Sequence, residues 1–406
     1  MSSPTIAERS VTQGSVHLDA LRGSAAMLVF LNHTRALYFS SALVPSSAVI
    51  PRTTTVRAAV TLTTPQGPGG GLKMASEAVI IFFVLSGYLV GGSVLRTLRQ
   101  NAWSWKEYLV RRLTRLWVPL IPCLLLCYVL DHAGLRLFGS GSIYGNPPGI
   151  DLITSWHLAE RLSVKVLLGN LLFLQGILVP YFGTDNSLWS LANEFWYYLV
   201  FPCLALAAAA VRPLWMRLLY LVGGIALLAF ITRPVAHLFP IWLLGAIVAM
   251  LPRRLSPRQA SLLSFLGFSL LLLCMYKLRT LRWSELLSQY ILAIATSLFV
   301  YVLIQQSDRA PKSVYRSVAN FLSLISYTLY IVHLPLAIFL ASMVNSPWHQ
   351  WEKTPQKFAL YLLLDGVVLA SATLLWRLFE ANTDYIRRWL FERAYDPVAA
   401  STTRLG

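Results

Sequence analysis

Arg22 and His33 stand eleven positions apart inside one apolar stretch, LDALRGSAAMLVFLNH, residues 18–33. An arginine at membrane depth costs several kcal/mol unless something pairs with it, so neither residue is there merely to span. On a helix, an eleven-residue offset falls about 20° past three full turns, which puts both side chains on one face, ~16 Å apart along the axis. One face thus offers a cation at its inner end and a titratable imidazole past the midplane. That suits an elongated ligand with an anionic head on one side and its reactive end in the membrane. The competing account is structural: Arg22 snorkels or pairs with Asp19, and His33 makes an interhelical hydrogen bond. Spacing alone leaves both open.

Four further stretches carry polar groups in apolar surroundings. SEAVIIFFVLSGYLVGG (76–92) places Glu77 at about the depth of His33, where a carboxylate can orient an imidazole and stabilise the imidazolium formed on proton abstraction. The alternative is that Glu77 marks the outer water boundary. Its Ser86-Gly87 and Gly91-Gly92 pairs allow close helix approach, a packing feature before a chemical one. RRLTRLWVP (111–119) sets Arg112 and Arg115 three apart on one face, matching a fork of phosphate contacts; each alone is an ordinary cytoplasmic anchor. NSLWSLANEFWYYLVFP (186–202) holds Glu194 and Asn193 among Trp189, Trp196, Tyr197 and Tyr198. An interfacial aromatic belt explains the rings but leaves the two polar residues unexplained, and rings beside a carboxylate suit a sugar-like acceptor. SYTLYIVHLP (326–335) puts Tyr330 and His333 one turn apart, where interhelical bonding and acceptor binding both fit.

The elements that position these groups follow from composition. The 406 residues are 56% hydrophobic and 13% charged, with mean hydropathy +0.59, and apolar stretches recur from end to end. A soluble domain is nearer a quarter charged, so the chain is an all-α polytopic membrane protein. The first stretch is too long and too polar for a cleavable signal peptide. Spans are expected near 17–39, 75–95, 112–130, 188–210, 215–231, 235–251, 260–278, 286–305, 319–343 and 358–380, about ten in all. Arg96, Arg99, Lys106, Arg111, Arg112 and Arg115 fill one linker and make it cytoplasmic. If 164–182 does not cross, most loop Lys and Arg fall inside; if it does, most fall outside. The better expectation is therefore that both termini are cytoplasmic and that 164–182 re-enters or lies in the outer interface. The large outer loops are then 40–74 and 131–187.

The net charge of +17 is spread over many loops, as anionic lipid on the cytoplasmic face requires, and forms no patch for nucleic acid. Cys123, Cys127, Cys203 and Cys274 all fall in apolar segments and have neither disulfide nor metal-ligand spacing. No metal is expected, and no internal repeat is visible.

Taken in order, these motifs resemble the membrane acyltransferase-3 family. The points of match are the Arg-x10-His of Arg22 and His33, FFVLSGYL, and the Arg-x-x-Arg of Arg112 and Arg115. LWSLANEFWYY, SYTLYIVHLP and LFE ending at Glu380 complete the set. The resemblance covers roughly residues 17–380, flanked by cytoplasmic tails at 1–16 and 381–406. It implies an integral-membrane O-acyltransferase of the bacterial cytoplasmic membrane. Such an enzyme moves an acyl group, usually acetyl, from cytosolic acyl-CoA to a hydroxyl on a glycan, lipid-linked sugar or natural product. In that scheme His33 is the catalytic histidine, Arg22 its partner arginine, and Arg112 and Arg115 support the donor. Glu194 matches the glutamate of Trp-Ser-Leu-x-x-Glu, with Trp189, Asn193, Tyr330 and His333 as acceptor contacts. Many members carry an acid two residues before the Phe-Phe pair; here Ile80 stands there, and Glu77 lies one turn earlier.

Three other functions compete with acylation of a surface polysaccharide. A secondary metabolite such as a macrolide is the next acceptor class. A transporter or flippase would use the buried Arg, His and Glu to bind substrate or relay protons, and would be marked by repeat symmetry and paired broken helices. A non-catalytic receptor or assembly subunit has no use for the alignment of Arg22 with His33.

Overall fold

A computed structural model describes residues 11–39, 73–145, 158–280 and 283–395. The outer loop expected at 40–74 lies almost wholly outside these residues, as do residues 146–157 of the second loop. The described elements are helical. They are α1 (Gln13–Tyr38), α2 (Lys73–Ser86), α3 (Gly92–Arg99), α4 (Trp105–Phe138), α5 (Leu158–Arg161), α6 (Val164–Leu171) and α7 (Leu188–Ala208). There follow α8 (Leu214–Phe230), α9 (Arg233–Val248), α10 (Pro257–Thr280), α11 (Glu285–Leu303), α12 (Val314–Val344), α13 (Pro355–Leu378) and α14 (Thr383–Tyr395). Among the described residues the only β pairing is three isolated bridges.

Among the described residues, seven stretches are long and apolar enough to cross a membrane: Ala75–Arg99, Trp105–Phe138, Leu188–Ala208, Pro257–Lys277, Glu285–Leu303, Val314–Val344 and Pro355–Phe391. The other three expected spans also fall on helices. α8 and the apolar part of α9 are shorter, and α1 carries Asp19, Arg22 and His33 along its 26 residues. The segment expected not to cross, 164–182, forms a helix of only 8 residues, about 12 Å long, against the roughly 20 residues that a bilayer requires.

The chain divides into two compact units. One comprises Met1–Met27, Ser76–Gly92 and Pro240–Ser326; the other comprises Leu28–Ala75, Ser93–Phe239 and Tyr327–Gly406. In the first, a π-helical turn (Gly87–Gly91) joins α2 to α3 and packs on α9 at backbone distance. A Cβ at Gly87 would sit 1.9 Å from the Trp242 carbonyl oxygen, and one at Gly245 would sit 2.0 Å from that of Val84. No side chain larger than hydrogen fits, so both glycines are packing residues, as the Ser86-Gly87 pair implied for the first of them.

In the second unit, Ser104 caps α4 by accepting from the Glu107 N–H at 3.3 Å, the Ser-x-x-Glu signature of a helix start. The segment after α6 is pinned through its backbone. Trp117 Nε1 donates to the Leu171 carbonyl and Trp196 Nε1 to that of Phe173, both at 2.8 Å. These are carbonyls that the end of α6 leaves unpaired, and the indole N–H groups satisfy them. Asn170 completes the clamp, donating to the Val166 and Pro180 carbonyls and accepting from Phe182 N–H. Asp131 of α4 then accepts both the N–H and the hydroxyl of Thr184, at 2.7 and 2.9 Å. Among the rings of α7, the Trp196 indole thus fastens the segment that follows α6.

Candidate functional site

His33 lies on α1 in the second unit and is partly exposed as a residue. Its Nδ1 is 2.8 Å from Nε2 of His333 on α12. The two rings are nearly coplanar, 11° apart, with centroids 5.1 Å from each other. The centroid distance exceeds the N···N distance by about two ring radii, so the contact runs edge to edge along the line through both centres. That is a well-aimed hydrogen bond between imidazoles. Face-to-face overlap would bring the centroids closer than the nitrogens allow.

The tautomers follow from the surroundings. His333 is fully buried, and its Nδ1 sits 2.8 Å from the Tyr330 carbonyl oxygen and 3.1 Å from that of Leu329. Carbonyls only accept, so His333 Nδ1 carries a proton. A neutral ring then has a bare lone pair at Nε2, and a charged one would lie buried without a carboxylate partner. His33 Nδ1 must therefore be the donor, and its proton points at His333. The other nitrogen, His33 Nε2, keeps its lone pair and makes no hydrogen bond among the described residues.

Two neighbours brace this pair. One turn before His333, the Tyr330 hydroxyl is 2.7 Å from the Ser190 hydroxyl, which ties α12 to the start of α7. Beside His33, the Thr34 hydroxyl donates to Asp365 Oδ2 of α13 at 3.2 Å. Asp365 is buried inside a stretch long and apolar enough to cross a membrane and took no part in the sequence expectations. Its signal was available: one carboxylate in the apolar run YLLLDGVVLA, which in a span marks function by default.

The Arg-x-x-Arg pair divides its labour. The Arg115 guanidinium pairs with Glu380 at 3.3 Å. That of Arg112 lies between two tyrosine rings, 5.5 Å from the Tyr108 centroid and 5.7 Å from that of Tyr198. Cation–π contact holds the plane without using its N–H groups. Arg112 Nε is buried with no hydrogen-bond partner, so this cation has donors to spend. Glu194 accepts a short hydrogen bond from Tyr198 one turn along α7, so the Trp-Ser-Leu-x-x-Glu glutamate supports the ring under Arg112. Asn193 is buried, with its amide nitrogen unpartnered, and Trp189 is half-buried at the first turn of α7.

Arg22 and Glu77 belong to the first unit. Arg22 Nη1 donates to Ser323 Oγ at 3.4 Å, and the same hydroxyl donates to Asp19 Oδ1 at 2.8 Å. Glu77 is buried in the first turns of α2. Near α7, just outside the spans, burial pushes the Asp185 carboxyl up to about 8, although Ser187 donates to it through both N–H and hydroxyl. All four cysteines are free. Among the described residues no cluster of three or more His, Cys, Asp or Glu could hold a metal ion.

A membrane protein with this helical frame and a paired, partly exposed histidine is matched by one family model. The acyltransferase-3 family, described as an acyltransferase domain, covers residues 16–377, and the chain belongs to it. It is also similar to an uncharacterized protein of Haemophilus influenzae, 28% identical over 134 residues. That match covers 32% of this chain and 48% of the relative, so the chain spans about half of the curated relative's length. No solved structure matches.

Proposed function

We propose that the protein is an integral-membrane O-acyltransferase of about ten spans with both termini in the cytoplasm. In this scheme it transfers an acyl group, acetyl in the first instance, from cytosolic acyl-CoA to a hydroxyl of a surface glycan or lipid-linked sugar in the bacterial inner membrane. The observation that carries it is the state of His33. Its Nδ1 is held by hydrogen bonding, its Nε2 lone pair is uncommitted, and the residue is partly exposed. Those are the requirements for a general base.

In the proposed reaction, His33 Nε2 takes the proton of the acceptor hydroxyl as the oxygen bonds the thioester carbonyl carbon. The carbon–sulfur bond then breaks, and the proton passes from the imidazolium to the departing CoA thiolate. No covalent acyl-enzyme is needed, and the four cysteines contribute no nucleophile. Arg112, with its plane fixed and donors unspent, is the best-prepared cation for a donor phosphate. The shares of Arg22 and Arg115 in donor binding, and that of Glu77 as an acid for His33, rest on the family resemblance. Trp189, Asn193 and Glu194 supply the aromatic and polar groups proposed to meet a sugar.

The test is O-acyl analysis by mass spectrometry of surface glycans from cells carrying the wild-type protein, His33→Ala or no copy. Loss of the same O-acetyl groups in the last two supports the proposal. Wild-type acylation by His33→Ala would overturn it.

A further inference from the structure

We propose that His333 is the positioning residue of the His33 base. It fixes His33 as the Nδ1–H tautomer and turns Nε2 toward the acceptor, and it does not contact the acceptor itself. The inference rests on His33 being the base and goes further by naming what orients it. Free histidine prefers the opposite tautomer, with the proton on Nε2, in which His33 would offer the acceptor hydroxyl a donor where an acceptor is required. The chain of bonds corrects this. The backbone carbonyls of Leu329 and Tyr330 hold the proton on His333 Nδ1, which leaves His333 Nε2 bare. The bare nitrogen fixes the proton on His33 Nδ1.

Burial equips His333 for this role. It is 0% exposed, so acceptor cannot reach it, whereas His33 as a residue is partly exposed. The contact also strengthens during the reaction. When His33 becomes an imidazolium, its Nδ1–H bond to His333 turns charge-assisted, and such bonds are roughly twice as strong as neutral ones. An interaction stronger in the transition state than before it raises kcat and leaves donor binding nearly untouched. Tyr330, fastened to Ser190, holds the helical turn that supplies the carbonyls.

The test has a spectroscopic arm and a kinetic arm. Protein labelled with 15N-histidine is reconstituted in lipid bilayers, and the His33 signals are assigned by difference from His33→Gln. The expected wild-type spectrum has the His33 proton on Nδ1; a proton on Nε2 overturns the proposal without any further variant having to fold. Rates are measured by CoA release from acetyl-CoA with a glycan extract as acceptor. His333→Phe fills the space without an acceptor atom. It is expected to lower kcat about 10²–10⁴-fold, the scale of a base in the wrong tautomer, with KM for acetyl-CoA nearly unchanged. His333→Gln places a carbonyl oxygen near the lost nitrogen and is expected to recover most of the rate. Full activity in His333→Phe beside an inactive His33→Ala overturns the positioning role alone. Full activity in His33→Ala overturns the base assignment beneath it.

Discussion

Arg115 Nη1 lies 3.3 Å from Glu380 Oε1, and Glu380 Oε2 takes both the N–H and the hydroxyl of Thr328. The bridge joins α4, α12 and the turn that follows α13, and it is lopsided. The Arg115 side chain is 46% exposed and the Glu380 side chain 2%. Removing the arginine strands a carboxylate in a dry site, whereas removing the carboxylate leaves a guanidinium that water can still reach. Arg115→Gln is therefore expected to melt several degrees below the wild type, and Glu380→Gln to cost less. The double variant should recover part of the loss, as followed by thermal unfolding in detergent.

Its neighbour should behave in the opposite way. Arg112→Gln removes a cation whose partners are two tyrosine rings, and its donors are otherwise unspent. KM for acetyl-CoA should rise about tenfold or more, the worth of a charged hydrogen bond, with Tm nearly unchanged. Titration of CoA binding checks this directly.

Asp365 holds Thr34, the residue next to the proposed base His33. Without Asp365 the Thr34 hydroxyl falls back on the Phe30 and Leu31 carbonyls of its own helix, and α1 keeps only its contacts with Tyr361 as polar ties to α13 beside His33. Asp365→Ala is expected to lower kcat about 10–100-fold through misplacement of the imidazole. Asp365→Asn keeps an oxygen for Thr34 and should restore most of it. Initial rates at saturating acetyl-CoA distinguish the two.

Asp185 gives the fold a pH dependence of definite sign. Its carboxyl titrates near 3.8 when unfolded and is pushed up to about 8 by burial in the folded protein. The unfolded chain therefore releases the proton first as pH rises. Stability from this group is greatest below pH 4, declines through the window between the two values, and levels off above it. Between pH 5 and pH 8.5 the wild-type Tm should fall more steeply than that of Asp185→Asn.

The helices were legible because apolar runs of span length have few other fates, and every expected span lies on one. That 164–182 forms too short a helix to span agrees with the expectation from loop charge, but the two indoles aimed at the Leu171 and Phe173 carbonyls could not be read from the sequence. At the site, residue types outran their roles. His33 and His333 both stood out as histidines in apolar helices, yet they lie 300 residues apart in sequence and their bond is a fact of packing. Arg112 and Arg115 looked equivalent at three-residue spacing, and only their surroundings separate a stacked cation from a bridged one. Asp365 was overlooked because it belongs to no motif, although its charge in an apolar run was plain.

The backbone contact between Gly245 and Val84, and its counterpart between Gly87 and Trp242, has a consequence for any survey of tolerated substitutions. Among randomised codons, positions 87 and 245 would return glycine with a stringency equal to that of His33, although neither meets substrate. Ranked by intolerance alone, the hinge-tight crossing and the chemistry would be indistinguishable. They separate once the losses are sorted by what survives: full-length, membrane-inserted, inactive protein marks the histidine, and vanished protein marks the glycines.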